Sequence, residues 1–252
     1  MELTVGTFNI QHGIDYPRVL ETGETRVDLQ PVADAILEMR PDVLGLNEIY
    51  GAHPDMGNQA AELGYLTGLG ATFAKAISIH GGDYGNALLS RFPVRTIRCI
   101  PIGVPKAERQ YHGYYEDRVL LHAKLDVEGQ TVSVLCCHFG LNPDEMEQAV
   151  EAVRREQEGI RHPLIFMGDL NLCPGSEPYR MLTAFLTDAS LICDKPPLTF
   201  PSHVPDCQID HIFVNSACTV QRVWVPEILY SDHRPILARI SFSSCNSGEN
   251  VV

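Results

Sequence analysis

Asp169 and Asn171 stand two residues apart just after a short apolar run, Leu164 to Met167. That run reads as a strand buried on both faces. In an extended chain, positions i and i+2 point the same way. A carboxylate and an amide therefore emerge side by side where a core strand stops. Leaving both unsatisfied would be costly, so they either start a turn, as Asp and Asn often do, or carry out chemistry. The device recurs along the chain. Asn9 follows Leu3 to Phe8, Glu48 closes Asp42 to Asn47, and His138 follows Gln130 to Cys137. Asp210 lies in Gln208 to Val214, and Asp232 and His233 precede Ile236 to Phe242. Taken singly, each is equally a cap or a solvated strand end. Taken as a series, they supply hard oxygen ligands, imidazoles, and an aspartate able to orient a histidine. Oxygen-rich ligation without thiolates suits Mg²⁺ or Mn²⁺. Hydrolysis of a phosphate ester is the reaction that wants this set. A metal neutralises phosphate charge, a carboxylate handles water, and His or Asn binds the developing oxyanion.

Candidate substrate contacts lie in other segments. Residues 101–117 interleave Lys106, Arg109 and His112 with Tyr111, Tyr114 and Tyr115. Such a mixture can bind a phosphorylated or ring-bearing ligand, and an ordinary surface loop can have it too. Tyr114 and Tyr115 are the candidates there. Arg118 opens the next strand. His80 sits in a glycine-rich turn too short for a dinucleotide fingerprint, and Asn86 begins Asn86 to Ser90.

The elements that must position these groups are partly legible. Asp28 can cap a helix with Pro31 in its first turn. Val32, Ala35, Ile36 and Met39 make one apolar face, and Pro41 ends it. Asn142, Pro143 and Glu145 form a helix start close to a capping box. Residues 11–27 read as a loop. Val94 to Ile100 is expected to pair with the strand ending at Ser90, and Cys218 to Val225 with the strand ending at Val214. One domain is expected over 1–242, with a loose tail over 243–252.

Composition narrows the classes. The chain has 252 residues, enough for one large core. No apolar run approaches the length of a membrane span, and no signal-peptide pattern opens the chain. The eight cysteines contain no Cys-x-x-Cys pair, so reduced thiols and a cytoplasmic location are expected. A net charge of −13 weakens any case for non-specific nucleic-acid binding.

The stretches Thr7-Phe8-Asn9, Leu46-Asn47-Glu48, Gly85 to Ser90, Cys137-His138, Gly168 to Asn171, Ile209 to Phe213 and Ser231 to Pro235 occur in one order along nearly the whole chain. In that ordered set the chain resembles the endonuclease/exonuclease/phosphatase superfamily, which has the deoxyribonuclease-I-like fold. The resemblance implies an α+β protein, a four-layer α/β sandwich with two central, mostly antiparallel sheets flanked by helices. It implies a metal held by Glu48 with Asn9 and Asp232, and Asp169 as the group that orients and deprotonates water. Asn171, His138 and Arg118 would hold the phosphate, and Asp210 would orient His233. There are departures. The residue before the metal glutamate is Asn47 rather than Gln. The glutamate that partners the first histidine in the deoxyribonuclease I branch is missing, with Asp83 as a candidate. Thr199-Phe200-Pro201-Ser202 replaces the aromatic-rich stretch of abasic-site nucleases. These features lead to an expected Mg²⁺- or Mn²⁺-dependent phosphoesterase acting on a phosphorylated small molecule or lipid head group. A DNA or RNA nuclease is the alternative, and a non-catalytic binding module a minor one.

Overall fold

The structure, a computed structural model, describes residues 1–243. The expected loose tail therefore lies outside the described residues, apart from its first. In chain order the main elements are β1 (Glu2–Asn9), α1 (Tyr16–Thr22), α2 (Gln30–Met39), β2 (Val43–Ala52), α3 (Gln59–Thr67), β3 (Gly70–Ile79), β4 (Gly82–Ser90) and β5 (Val94–Ile102). Then come β6 (Arg118–Val127), β7 (Gln130–Cys136), α4 (Pro143–Gln157), β8 (Leu164–Asp169), α5 (Glu177–Thr183), β9 (Thr187–Asp188), β10 (Asp210–Val214), β11 (Thr219–Trp224) and β12 (Ile236–Ser241).

Two six-stranded sheets form, ordered β11-β12-β1-β2-β4-β3 and β5-β6-β7-β8-β10-β9. Their facing sides bury Val5, Val43, Leu121, Val134, Met167, Ile212 and Ala238 between them. The outer face of the first sheet packs Phe8, Leu44 and Leu46 against Val32 and Ile36 of α2 and Leu63 of α3. The outer face of the second packs Leu135 and Phe166 against Val150 and Val153 of α4 and Leu182 of α5. Strands buried on both faces lose the polar–apolar alternation of a half-exposed sheet, which is why they read as continuous apolar runs. The layering is the α+β sandwich the resemblance implies. Among the described residues no helix is long and apolar enough to cross a membrane.

Four local expectations are corrected. The strand after Asp42 does not close at Glu48 but runs on to Ala52, with Glu48 on a bulge inside it. Residues 11–27 are not all loop, because α1 forms there. Asp15 accepts from the Arg18 N–H at 3.2 Å, Pro17 sits in the first turn, and Gly23 closes the helix at φ +73°. This helix buries no residue, so no apolar face announced it. Val94 to Ile102 does not pair with β4 but with β6 in the other sheet, since β4 already lies between β2 and β3. Likewise β11 pairs with β12, because β10 already lies between β8 and β9.

Candidate active site

The strand directions decide where the polar ends meet. Each sheet contains one parallel pair, β1 with β2 and β7 with β8. Asn9, at the end of β1, and Glu48, on the β2 bulge just past the partner of Asn9, therefore lie toward one rim of the first sheet, and His138 and Asp169 leave the second on one rim. The neighbours β6, β10 and β12 run antiparallel to β7, β8 and β1, so their beginnings lie on that rim too. Those beginnings are Arg118, Asp210 and the segment Asp232-His233. Asp210 stands directly opposite Asp169 in the β8–β10 register.

Asp169, only 2 % exposed, is the centre. Its Oδ2 accepts from Asn9 Nδ2 at 3.0 Å, and it lies 3.4 Å from His138 Nε2 and 3.6 Å from His233 Nε2. Its Oδ1 accepts from the Asn171 N–H at 3.1 Å, the turn that puts the two side chains on one rim. Gly168 is required just before it. A Cβ there would lie 1.8 Å from the Cys137 carbonyl oxygen, and its φ is +155°. Burial first, then the Asp210 and Glu48 carboxylates, raise the Asp169 carboxyl above its ordinary range against the pull of His233.

Asn47 explains how the sheets stay in register at this point. Its Oδ1 accepts from the Asp169 N–H at 2.9 Å. Its Nδ2 donates to Asn86 Oδ1 at 2.8 Å, and Asn86 Nδ2 donates to the Val119 carbonyl at 2.9 Å. A buried relay of amides thus crosses from one sheet to the other.

The two histidines differ in charge. Arg118 can only donate, so His138 Nδ1, 3.2 Å from Arg118 Nη1, is an acceptor and the ring proton sits on Nε2. Burial first, then the Arg118 and His233 charges, hold His138 well below its ordinary pKa. His233 Nδ1 lies 2.8 Å from Asp210 Oδ2. Burial pulls His233 down, but Asp210 and Asp169 outweigh it and push its pKa up to about 10. The Thr199–Ser202 segment straps this histidine in place. Ser202 N–H donates to the Asp232 carbonyl, Arg234 N–H donates to the Thr199 carbonyl, and the Phe200 ring lies 4.8 Å from the imidazole.

Several placements depart from expectation. Asn9 presents its N–H₂ to the cluster, donating to Glu48 Oε1 at 2.9 Å as well as to Asp169. Its oxygen accepts from the Gln11 N–H at 3.0 Å, so its N–H₂, rather than its oxygen, faces the carboxylates. Asn86 is 2 % exposed and spent inside the amide relay, which removes it from substrate reach. Tyr115 donates to Asp144 at 2.7 Å and carries the Arg109 guanidinium on its ring, a loop-stabilising arrangement. Tyr114 is 67 % exposed and lines a neighbouring groove with Arg109 and Glu116. Asp83 is engaged by Lys75 at 2.6 Å on the exposed side, so it does not partner His138. His80 and Arg118 do line the pocket beside Glu48 and His138.

That pocket also holds residues the sequence did not single out as site groups: His12, Tyr50, Tyr84 and Glu116. Tyr84 donates to Glu48 Oε2 at 3.0 Å. Burial first, then Glu48, push its phenol well above its ordinary range, so it remains a donor. Glu116 pairs with Arg118 at 2.6 Å. Their signal was weak, since each is a common residue in or beside a turn or loop.

The donor set fits a hard divalent cation. Glu48 and Asp169 bring carboxylate oxygens within 4.8 Å of each other, while His138, with Nε2 protonated and Nδ1 turned to Arg118, stands beside them as a donor rather than a ligand. Asp232 Oδ2 sits 3.3 Å from Gln11 Nε2, while Gln11 Oε1 is buried without a partner. The ligand atoms are oxygens, and among the described residues no thiol takes part.

The profile of the Endonuclease/Exonuclease/phosphatase family matches residues 6–233. "Uncharacterized protein YbhP" of Escherichia coli is 24% identical over 241 residues, covering 85% of this chain and 89% of that protein. A mannosyl-6-phosphatase of Bacteroides thetaiotaomicron superposes with a TM-score of 0.76 at 18% identity, over 95% of this chain and 100% of that one. The human Nocturnin catalytic domain with bound sulfate superposes at 0.70 and 20% identity, over 96% and 94%.

Proposed function

The chain belongs to the endonuclease/exonuclease/phosphatase family, and on that premise we propose that it hydrolyses a phosphodiester or phosphomonoester of a small or lipid-derived molecule. The cofactor is Mg²⁺ or Mn²⁺. Glu48 and Asp232 would hold it, and when bound it would supply positive charge to the phosphate oxygens. The observation that carries the reading is the position of Asp169, whose Oδ2 faces Asn9, His138 and His233 at once.

Asp169 orients the attacking water and takes its proton, a role its raised pKa suits. Asn9 bridges the Asp169 and Glu48 carboxylates through its N–H₂ and keeps them aligned. His138, neutral with its proton on Nε2, donates toward the phosphate together with the Asn171 amide. Arg118, whose Nε is buried without a partner, adds a charged donor. His233, kept cationic by Asp210, offers its Nε2 proton to the charge that develops on phosphorus oxygens.

The substrate class rests on charge. At −13 the surface repels an extended polyanion, and the pocket beside Glu48 contains Glu116 as well as Arg118. A short phosphoester therefore fits better than a nucleic-acid strand. The test is a panel of plasmid DNA, single-stranded RNA, bis-p-nitrophenyl phosphate, inositol and sugar phosphates, and sphingomyelin, each with Mg²⁺ and with Mn²⁺. Turnover of a small or lipid phosphoester is expected. Efficient plasmid nicking at physiological salt with poor turnover of everything small would establish the nuclease instead. No hydrolysis across the panel would favour a binding module.

A further inference from the structure

Glu48 is skipped by the ladder between β2 and β4, as Gly51 is. The register with β4 slips between Asn47 and Ile49, and Glu48 has φ +58°, a left-handed conformation that is uncommon for a side chain of this kind. A carboxylate carried on a bulge needs its direction set by other side chains. Asn9 serves Oε1, and the Tyr84 hydroxyl serves Oε2 at 3.0 Å. The Tyr84 ring is itself confined. It stands opposite Tyr50 in the β2–β4 register, with ring centroids 4.8 Å apart, and meets His12 edge-on at 6.1 Å. Buried Gln59 of α3 locks both neighbours, donating to the His12 carbonyl at 2.7 Å and accepting from the Tyr50 N–H at 3.1 Å.

We infer that Tyr84 is a positioning residue whose hydroxyl and confined ring aim the Glu48 carboxylate at the divalent cation and thereby set how tightly the ion is held. The inference rests on Glu48 being the ion's principal ligand. Partners behind a metal ligand are typically worth about 10–100-fold in affinity or activity, and this one also opposes the backbone's freedom at the bulge.

The test is Mn²⁺ binding to the metal-free full chain, read by electron paramagnetic resonance of the free ion with no substrate present. Tyr84→Phe keeps the ring and removes the donor. Binding should weaken by roughly 10-fold or more, while far-UV circular dichroism stays native. Turnover should recover to within a few-fold at saturating Mn²⁺. Native Mn²⁺ affinity in Tyr84→Phe, with binding lost in Glu48→Gln, would overturn the positioning role and leave the Glu48 assignment standing. Native affinity in Glu48→Gln would overturn the assignment on which the inference rests. A fall in affinity that tracks lost circular dichroism would mark Tyr84 as merely structural.

Discussion

Asp210 Oδ2 and His233 Nδ1 meet at 2.8 Å in a buried contact, although 23 residues separate them in sequence. The aspartate fixes the tautomer, because Nδ1 must carry the proton it donates. It leaves Nε2 facing Asp169. The other Asp210 oxygen is buried without a partner, so the imidazole is the main return on burying this carboxylate.

The first prediction follows from that pair. The His233 pKa is raised from 6.5 to about 10, so its cation persists through neutral pH and is lost as pH rises through the folded value. Activity that needs the cation should fall on that alkaline limb. The stability it contributes has the same sign, fully present below about 6.5 and lost toward 10. Asp210→Asn should move the limb to lower pH and lower kcat. A pH–rate profile, with a histidine NMR titration of the metal-free protein, checks both; an unmoved limb would refute the pairing.

The two residues should also act as one unit. The double change Asp210→Asn/His233→Ala should cost little more than His233→Ala alone. Additive losses in kcat/KM would show that they act separately.

Asp169→Asn should leave the fold intact and lower kcat by roughly 10²–10⁴-fold, the range of general acid–base catalysis. A kcat within a few-fold of native would reduce Asp169 to a turn residue.

Removing the metal should abolish turnover. Excess EDTA is expected to silence the enzyme and Mg²⁺ or Mn²⁺ to restore it, with Glu48→Gln weakening metal binding and turnover together. Full activity in EDTA would sink the metal assignment.

Asn47 gives a stability prediction. Asn47→Leu strands the Asp169 N–H and Asn86 Oδ1, which the amide now serves. Each buried group left unsatisfied costs roughly 1–3 kcal/mol, so the urea midpoint should fall clearly. Activity should fall too, since Asp169 loses the bond that seats its backbone. An unchanged midpoint would mean that the relay contributes nothing.

The sequence by itself determined most of the residues that stand at strand ends; Glu48 is the exception, since β2 runs on to Ala52 and carries it on an interior bulge. Although β8 runs through Gly168 to Asp169, the side-chain period of a strand and the breaks at Pro41 and Pro93 are local properties, written in neighbouring residues. The same holds for the Asn142 capping box, which forms as expected, and for the ordered motifs from Asn9 to Pro235. Edge pairing is different, because any strand with free N–H and C=O groups can pair with any other. Only the tertiary structure decided that β5 joins β6 and β11 joins β12. Only it set the two parallel pairs that carry Asn9, Glu48, His138 and Asp169 to one rim. It also decided how each polar group is spent. Asn86 and Asn47 are taken inside by the relay, Asn9 turns its donor to the carboxylates, and Tyr84 reaches Glu48 across a bulge. A residue's type states what it can donate or accept, and the partner it meets is fixed by chain segments far away in sequence.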